Sequence, residues 1–134
     1  MATISLQTPR RVAFVDITAQ VEDTVRALGV TDGIVVVYVP HTTAGVTINE
    51  NADPSVRADL ESVLGRLAPE DLPYRHLEGN SDAHVKASLM GSSVNVPLAG
   101  GRLGLGAWQG VFFAEFDGPR RRKVHVVALP GPAA

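Results

Sequence analysis

Residues 33–40 read G-I-V-V-V-Y-V-P, and this run narrows the possible folds more than any other part of the chain. It is too short for a stable helix, rich in β-branched side chains and apolar on both faces. Such a segment reads as a central, buried strand ended by Pro40. A second strand is expected at residues 10–17, R-R-V-A-F-V-D-I. It places Val12, Phe14 and Asp16 on one face and Ala13, Val15 and Ile17 on the other.

Helices are expected between the strands. Thr18 suits a helix N-cap, Val21, Val25 and Leu28 recur at helical spacing, and Gly29 marks the stop. After the short strand V-T-I-N-E, Asp53 followed by Pro54 pairs a capping acceptor with proline at the first helical position. Val56, Leu60, Val63, Leu64 and Leu67 form the apolar stripe of that helix. Residues 69–82 are polar and loop-like. Ser81 or Asp82 then caps a short helix, A-H-V-K-A-S-L-M, closed by Gly91. From Ser92 onward the pattern is β, and W-Q-G-V-F-F-A-E-F and R-R-K-V-H-V-V-A-L are expected to pair as an antiparallel hairpin about D-G-P. The last residues, P-G-P-A-A, are expected to fray. The fold class is α+β, a single domain over residues 1–134 with mostly antiparallel sheets and two or three helices.

Composition sets limits on function. A chain of 134 residues with 45% hydrophobic residues builds one core. A net charge of -2 leaves no basic footprint, so nucleic acid is not the expected partner. Cysteine is absent, which excludes disulfides, zinc thiolates and a cysteine nucleophile. The first eleven residues lack the apolar core of a signal peptide, and no apolar run nears the roughly 18 residues of a membrane span. A cytoplasmic protein with no membrane partner is the expectation.

The chemistry-bearing residues are histidines set among small polar residues. His41 opens P-H-T-T-A-G, His76 lies in Y-R-H-L-E-G, and His84 in N-S-D-A-H-V-K. Imidazole is a common metal ligand and the commonest general acid or base near neutral pH. For any one histidine a hydrogen-bonded structural role is the default. Their shared placement at element ends and loops points to a common site, although their spacing matches no local motif such as H-E-x-x-H. His125, in the middle of the last strand, reads as structural. Asp53 is accounted for as a cap, whereas Glu50 could orient a histidine, bind a metal or act as a base. The Gly-rich stretch 100–106 precedes no helix and is no dinucleotide fingerprint. Trp108 suits core or interface. Arg120, Arg121 and Arg122 form either a solvated strand end or a phosphate contact.

Five segments together, H-T-T-A-G, N-E-N-A-D-P-S-V, D-A-H-V-K-A-S-L-M-G, G-A-W-Q-G and E-F-D-G-P-R-R-R, resemble the YjbQ-like family (UPF0047), also named secondary thiamine-phosphate synthases. The resemblance spans nearly the whole chain. It departs at Thr43, where serine is commoner, and at Ala107, where threonine is usual. It implies a YjbQ-like fold assembled as a homotrimer, with His41, His76 and His84 around zinc or another divalent metal such as magnesium. It also implies joining of hydroxymethylpyrimidine diphosphate to thiazole phosphate. His41, Glu50 and Lys86 are the expected catalytic groups, and Thr42, Thr43, Asn49, Trp108, Arg120 and Arg122 the expected substrate contacts. Two alternatives stand beside that reaction. One is a metal-dependent hydrolase or lyase of a small phosphorylated metabolite, and the other a noncatalytic trimer binding a metal or metabolite.

Overall fold

A computed structural model describes residues 1–132. Eight strands and three helices follow in the order β1 (Ala2–Gln7), β2 (Ala13–Asp16), α1 (Thr18–Leu28), β3 (Gly33–Tyr38), β4 (Ala44–Glu50), α2 (Pro54–Leu67), α3 (Ser81–Met90), β5 (Ser93–Ala99), β6 (Arg102–Leu103), β7 (Gln109–Glu115) and β8 (Arg121–Pro130). The strands form two antiparallel sheets: a larger one ordered β1-β8-β3-β5-β6 and a smaller one ordered β2-β7-β4. The α+β class expected from the pattern is the one observed. Among the described residues no helix is long and apolar enough to cross a membrane.

The β-branched run forms β3, at the centre of the larger sheet, but it is buried on one face only. Val35 and Val37 are fully enclosed, while Ile34 and Tyr38 on the opposite face keep 39% and 44% of their exposure. An antiparallel sheet needs cover on just one side, so apolar residues on both faces do not guarantee two covered faces. The strand enclosed on both sides is β7. Val111 and Phe113 face the core shared with the larger sheet and α1, whereas Phe112 and Ala114 pack beneath α2 and α3 with Phe14 and Phe116.

The expected hairpin of β7 and β8 does not form. β7 pairs with β2 and β4, and β8 pairs with β1 and β3. Residues 116–120 cross from one sheet to the other and are pinned on the way. Phe116 N–H donates to the Thr43 carbonyl, Gly118 N–H to that of Arg11, and Thr8 N–H to that of Arg120. Two β-patterned segments joined by a turn satisfy the same pattern whether they pair or part. Strand β1 was absent from the expected elements, although Thr3, Ile4, Ser5 and Leu6 alternate in polarity; it pairs with β8 from Ala2 opposite Val126 to Gln7 opposite Arg121.

The helix signals hold better. Gly29 closes α1 with φ 76°, and the Asp53 side chain accepts from Ser55 N–H at 2.9 Å. Thr18 is not the α1 cap; Ile17 takes that position, and Thr18 Oγ1 accepts from Val111 N–H at 2.8 Å instead. Asn80, rather than Ser81 or Asp82, is the N-cap of α3. Of the α2 stripe only Leu64 is buried, while Val63 and Leu67 stand exposed. Part of the cover over Phe112 comes from Arg57, whose guanidinium lies 5.1 Å from the ring centre. Helix α3 seats directly on β4 at Gly45, where a Cβ would meet the Gly91 carbonyl oxygen at 2.5 Å. In the expected tail, Gly131 N–H bonds the Asp32 carbonyl, so the chain is anchored there; Ala133 and Ala134 lie outside the described residues.

Candidate functional site

The site is built where three elements meet: the loop after β3, the start of β4, and α3 with the loop before it. Pro40 ends the β3 segment and sets His41, Thr42 and Thr43 beside α3. His84 projects from the first turns of α3, and its ring meets that of His76 edge-to-face, centroids 5.3 Å apart. Two adjoining lobes result. One, of about 530 Å³, is lined by His41, Thr42, Ala44, His84, Ala87 and Ser88 among others. The second, of about 370 Å³, carries the charge, with His76, Glu78, Asn80, Asp117, Arg120 and Arg122 in its lining. Thr42 and His84 belong to both and mark the divide.

The expected histidines line the two lobes of one cleft. Among the described residues no three His, Asp or Glu side chains are arranged to hold a metal ion. His41 uses Nε2 to accept from Lys123 N–H at 2.9 Å, which leaves Nδ1 to carry the proton of the neutral ring. Its pKa lies below the usual 6.5. Burial is the largest cause and the Arg122 charge the next, outweighing the opposing pull of Glu115.

The two arginines differ sharply. Arg122 is buried and forks onto fully buried Glu115, with Nε to Oε2 at 2.7 Å and Nη2 to Oε1 at 2.5 Å; Nη2 also donates to Thr43 Oγ1 at 2.8 Å. Nε and Nη2 are spent inside the protein, while Nη1 has no partner among the described residues and Arg122 stays in the lining of the charged lobe. Arg120 precedes β8 and keeps 54% of its side-chain exposure while tethered to Asp117 through Nη2 at 3.0 Å and, through Nε, to the Asp117 carbonyl at 2.7 Å. Asp117 also accepts from Asn80 Nδ2 at 2.9 Å, and Arg11 lies 3.5 Å away. Burial alone would raise the Asp117 pKa. The bonds from Asn80 and Arg120 and the charges of Arg120 and Arg11 overcome it, and the carboxyl sits below its ordinary value.

The remaining expected residues lie elsewhere. Lys86 is buried in α3 and bound to Asp82 at 3.0 Å, and Asp82 is also held by Arg11 at 3.1 Å. That places Lys86 inside the protein rather than in the lining of either lobe. Asn49 and Glu50 end β4, and Trp108 lies beside them, its carbonyl accepting from Asn51 N–H. Six residue steps along β4 at about 3.3 Å each set this group roughly 20 Å from the histidine end within one chain. Glu50 Oε2 accepts from Ala52 N–H at 3.0 Å, a turn role, and Trp108 is 68% exposed. Sequence reading missed Asn80, Asp117, Glu115 and Arg11. Asp117 stands in the same D-G-P-R segment as Arg120, and Asn80 opens the N-S-D segment, so a search for acceptors next to the selected cations would have found both.

Known proteins place this chain clearly. Residues 2–131 match the model of the family described as UPF0047 protein YjbQ-like. The UPF0047 protein MJ1081 of Methanocaldococcus jannaschii is 54% identical over 121 residues, covering 90% of this chain and 88% of that protein. The UPF0047 protein YugU of Bacillus subtilis is 46% identical, covering 94% and 96%. A crystal structure of an uncharacterised conserved protein of the same family from Clostridium acetobutylicum superposes with a TM-score of 0.94 at 52% identity, covering 96% of this chain and all of that one. The chain belongs to the YjbQ-like UPF0047 family.

Proposed function

We propose that this protein binds small phosphorylated metabolites in the two-lobed cleft and there joins hydroxymethylpyrimidine diphosphate to thiazole phosphate, the reaction implied by its family resemblance. The observation that supports this best is the meeting of Thr42, His76, His84 and half-exposed Arg120 in one charged lobe beside a less polar one. Guanidinium, imidazole and hydroxyl donors suit phosphoryl oxygens. The neighbouring lobe, with Ala44, Ala87 and Gly91 in its lining, leaves room for the organic part of a ligand.

In that reaction the thiazole nitrogen forms a bond to the pyrimidine methylene carbon while the bond from that carbon to the diphosphate oxygen breaks. The electron pair leaves with pyrophosphate, and no proton need move. The task for the protein is to align two flat rings and to stabilise charge growing on the leaving group. Arg120 is the cation we assign to this, and His41, which lines the larger lobe, keeps Nδ1 as a donor once Nε2 accepts from Lys123. A divalent metal would add charge for the same purpose. Two imidazoles in contact and a third already engaged by Lys123 do not make a three-histidine centre in one chain, so no step is assigned to a metal.

Titration calorimetry with pyrophosphate, followed by chromatographic assay for thiamine phosphate, tests the reading. Arg120→Ala and His84→Ala should each weaken pyrophosphate binding by about tenfold. Absence of binding at millimolar pyrophosphate refutes the cleft assignment. Binding without product refutes the synthase step and leaves a metabolite-binding protein.

A further inference from the structure

Arg120 stands at the turn that enters β8, and its position is set from a distant part of the chain. Thr8, the residue after β1, lies opposite it, one step beyond the Gln7–Arg121 pair that ends the β1–β8 ladder. A regular antiparallel pair at this point would exchange two backbone bonds. Only one of them is made between backbone groups, from Thr8 N–H to the Arg120 carbonyl at 2.9 Å. The Thr8 hydroxyl takes the place of the other. Its Oγ1 accepts from Arg120 N–H at 2.8 Å and donates its own proton to the Arg120 carbonyl at 3.1 Å. One enclosed residue, 1% exposed, therefore holds both backbone groups of Arg120. The crossover seats closely on it, since a Cβ at Gly118 would come within 2.8 Å of Thr8 Oγ1.

With its backbone held by Thr8, the Arg120 side chain has a fixed origin from which to reach Asp117, through Nε to the carbonyl and through Nη2 to the carboxylate. Nη1 takes no partner among the described residues, and the side chain keeps 54% of its exposure in the lining of the charged lobe. A half-exposed arginine ordinarily loses rotamer freedom when it meets an anion, and holding it beforehand removes part of that cost. Thr8 carries no charge and is not in the lining of either lobe, so its effect on an anion there runs through Arg120. We propose that Thr8 is a positioning residue for phosphate binding: its hydroxyl fixes the Arg120 backbone so that the guanidinium meets the phosphate already oriented. This rests on the reading that the charged lobe holds the phosphate through Arg120.

Titration calorimetry with pyrophosphate, well below the melting points, compares wild type with two variants. Thr8→Val removes the hydroxyl at nearly constant size and without a change of charge, and Thr8→Ser keeps it. Thr8→Val should bind about fivefold more weakly, short of the roughly tenfold loss expected for Arg120→Ala, and Thr8→Ser should stay within about twofold of wild type. In an Arg120→Ala background Thr8→Val should add less than about twofold, because the group it acts through is gone. Thr8→Ala removes the same hydroxyl and replaces the valine variant should the latter fail to fold. The wild-type protein checks the clamp without any variant: the Arg120 amide should exchange its hydrogen slowly although the side chain is half-exposed. Unchanged affinity in the hydroxyl-free variant overturns the role of Thr8 and leaves the phosphate site standing. An equal loss with and without Arg120 also overturns it, since Thr8 would then act on the lobe as a whole, and so does unprotected exchange at the Arg120 amide. Failure of wild type to bind pyrophosphate refutes the underlying reading and this inference with it.

Discussion

Arg122→Ala is the substitution whose cost follows most directly from the structure. The guanidinium makes two bonds to Glu115 and one to Thr43, and both members of the ion pair are enclosed, Arg122 at 5% and Glu115 at 0% exposure. Removing the cation leaves a carboxylate in a dry environment with one backbone donor, Asp117 N–H at 3.1 Å, and strips Thr43 of a partner. Breaking a buried pair in this way costs about 3–5 kcal/mol. For a domain of 134 residues, an unfolding entropy of about 2.1 cal/mol/K per residue converts that loss into a melting point lower by about 11–18 °C. Calorimetry or urea unfolding at pH 7 measures it, with the exposed neighbour Arg121→Ala as a control that should stay within about 0.5 kcal/mol. Because Nε and Nη2 of Arg122 are engaged inside the protein and only Nη1 is left without a partner there, pyrophosphate affinity measured well below the melting point should fall by less than the roughly tenfold expected for Arg120→Ala. A loss of stability under about 1 kcal/mol would mean that the pair behaves as a solvent-screened one, and the reasoning from burial would be refuted.

His41 has a folded-state pKa below 6.5, so the unfolded chain takes up its proton first as pH falls. Its contribution to stability is whole above 6.5 and declines as pH drops through the lowered folded value, and His41→Gln should flatten that part of a stability–pH curve. A curve unchanged in the variant counts against the burial of His41. Gly45→Ala drives a Cβ to 2.5 Å from the Gly91 carbonyl and 3.2 Å from the Met90 side chain, so β4 and α3 must separate. It should cost about 1–3 kcal/mol and weaken pyrophosphate binding through displaced His84; full stability by urea unfolding contradicts that packing. The homotrimer implied by the family resemblance predicts three times the 14.1 kDa chain mass in light scattering, and a single-chain mass rejects it.

Much of this protein could be read along the chain. The Asp53–Pro54 start of α2, the Gly29 stop of α1 and the strand character of β3 are set by local chemistry, by caps, left-handed turns and β-branched side chains, and each appears in the structure. So is the attraction of His41, His76 and His84 to element ends, because imidazoles beside small polar residues announce a loop-borne site. What lies across the fold was not legible. Whether β8 pairs with β7 depends on which strand edges remain free after both sheets assemble, and so does the enclosure of Arg122 with Glu115 and Thr43. Local pattern likewise cannot tell that β4 carries Thr43 and Glu50 to opposite ends of a rigid strand. A cation's role follows from how far tertiary packing encloses it, so Arg120 and Arg122, two residues apart and alike in sequence, become one half-exposed side chain tied to its neighbour Asp117 and one buried ion pair with Glu115.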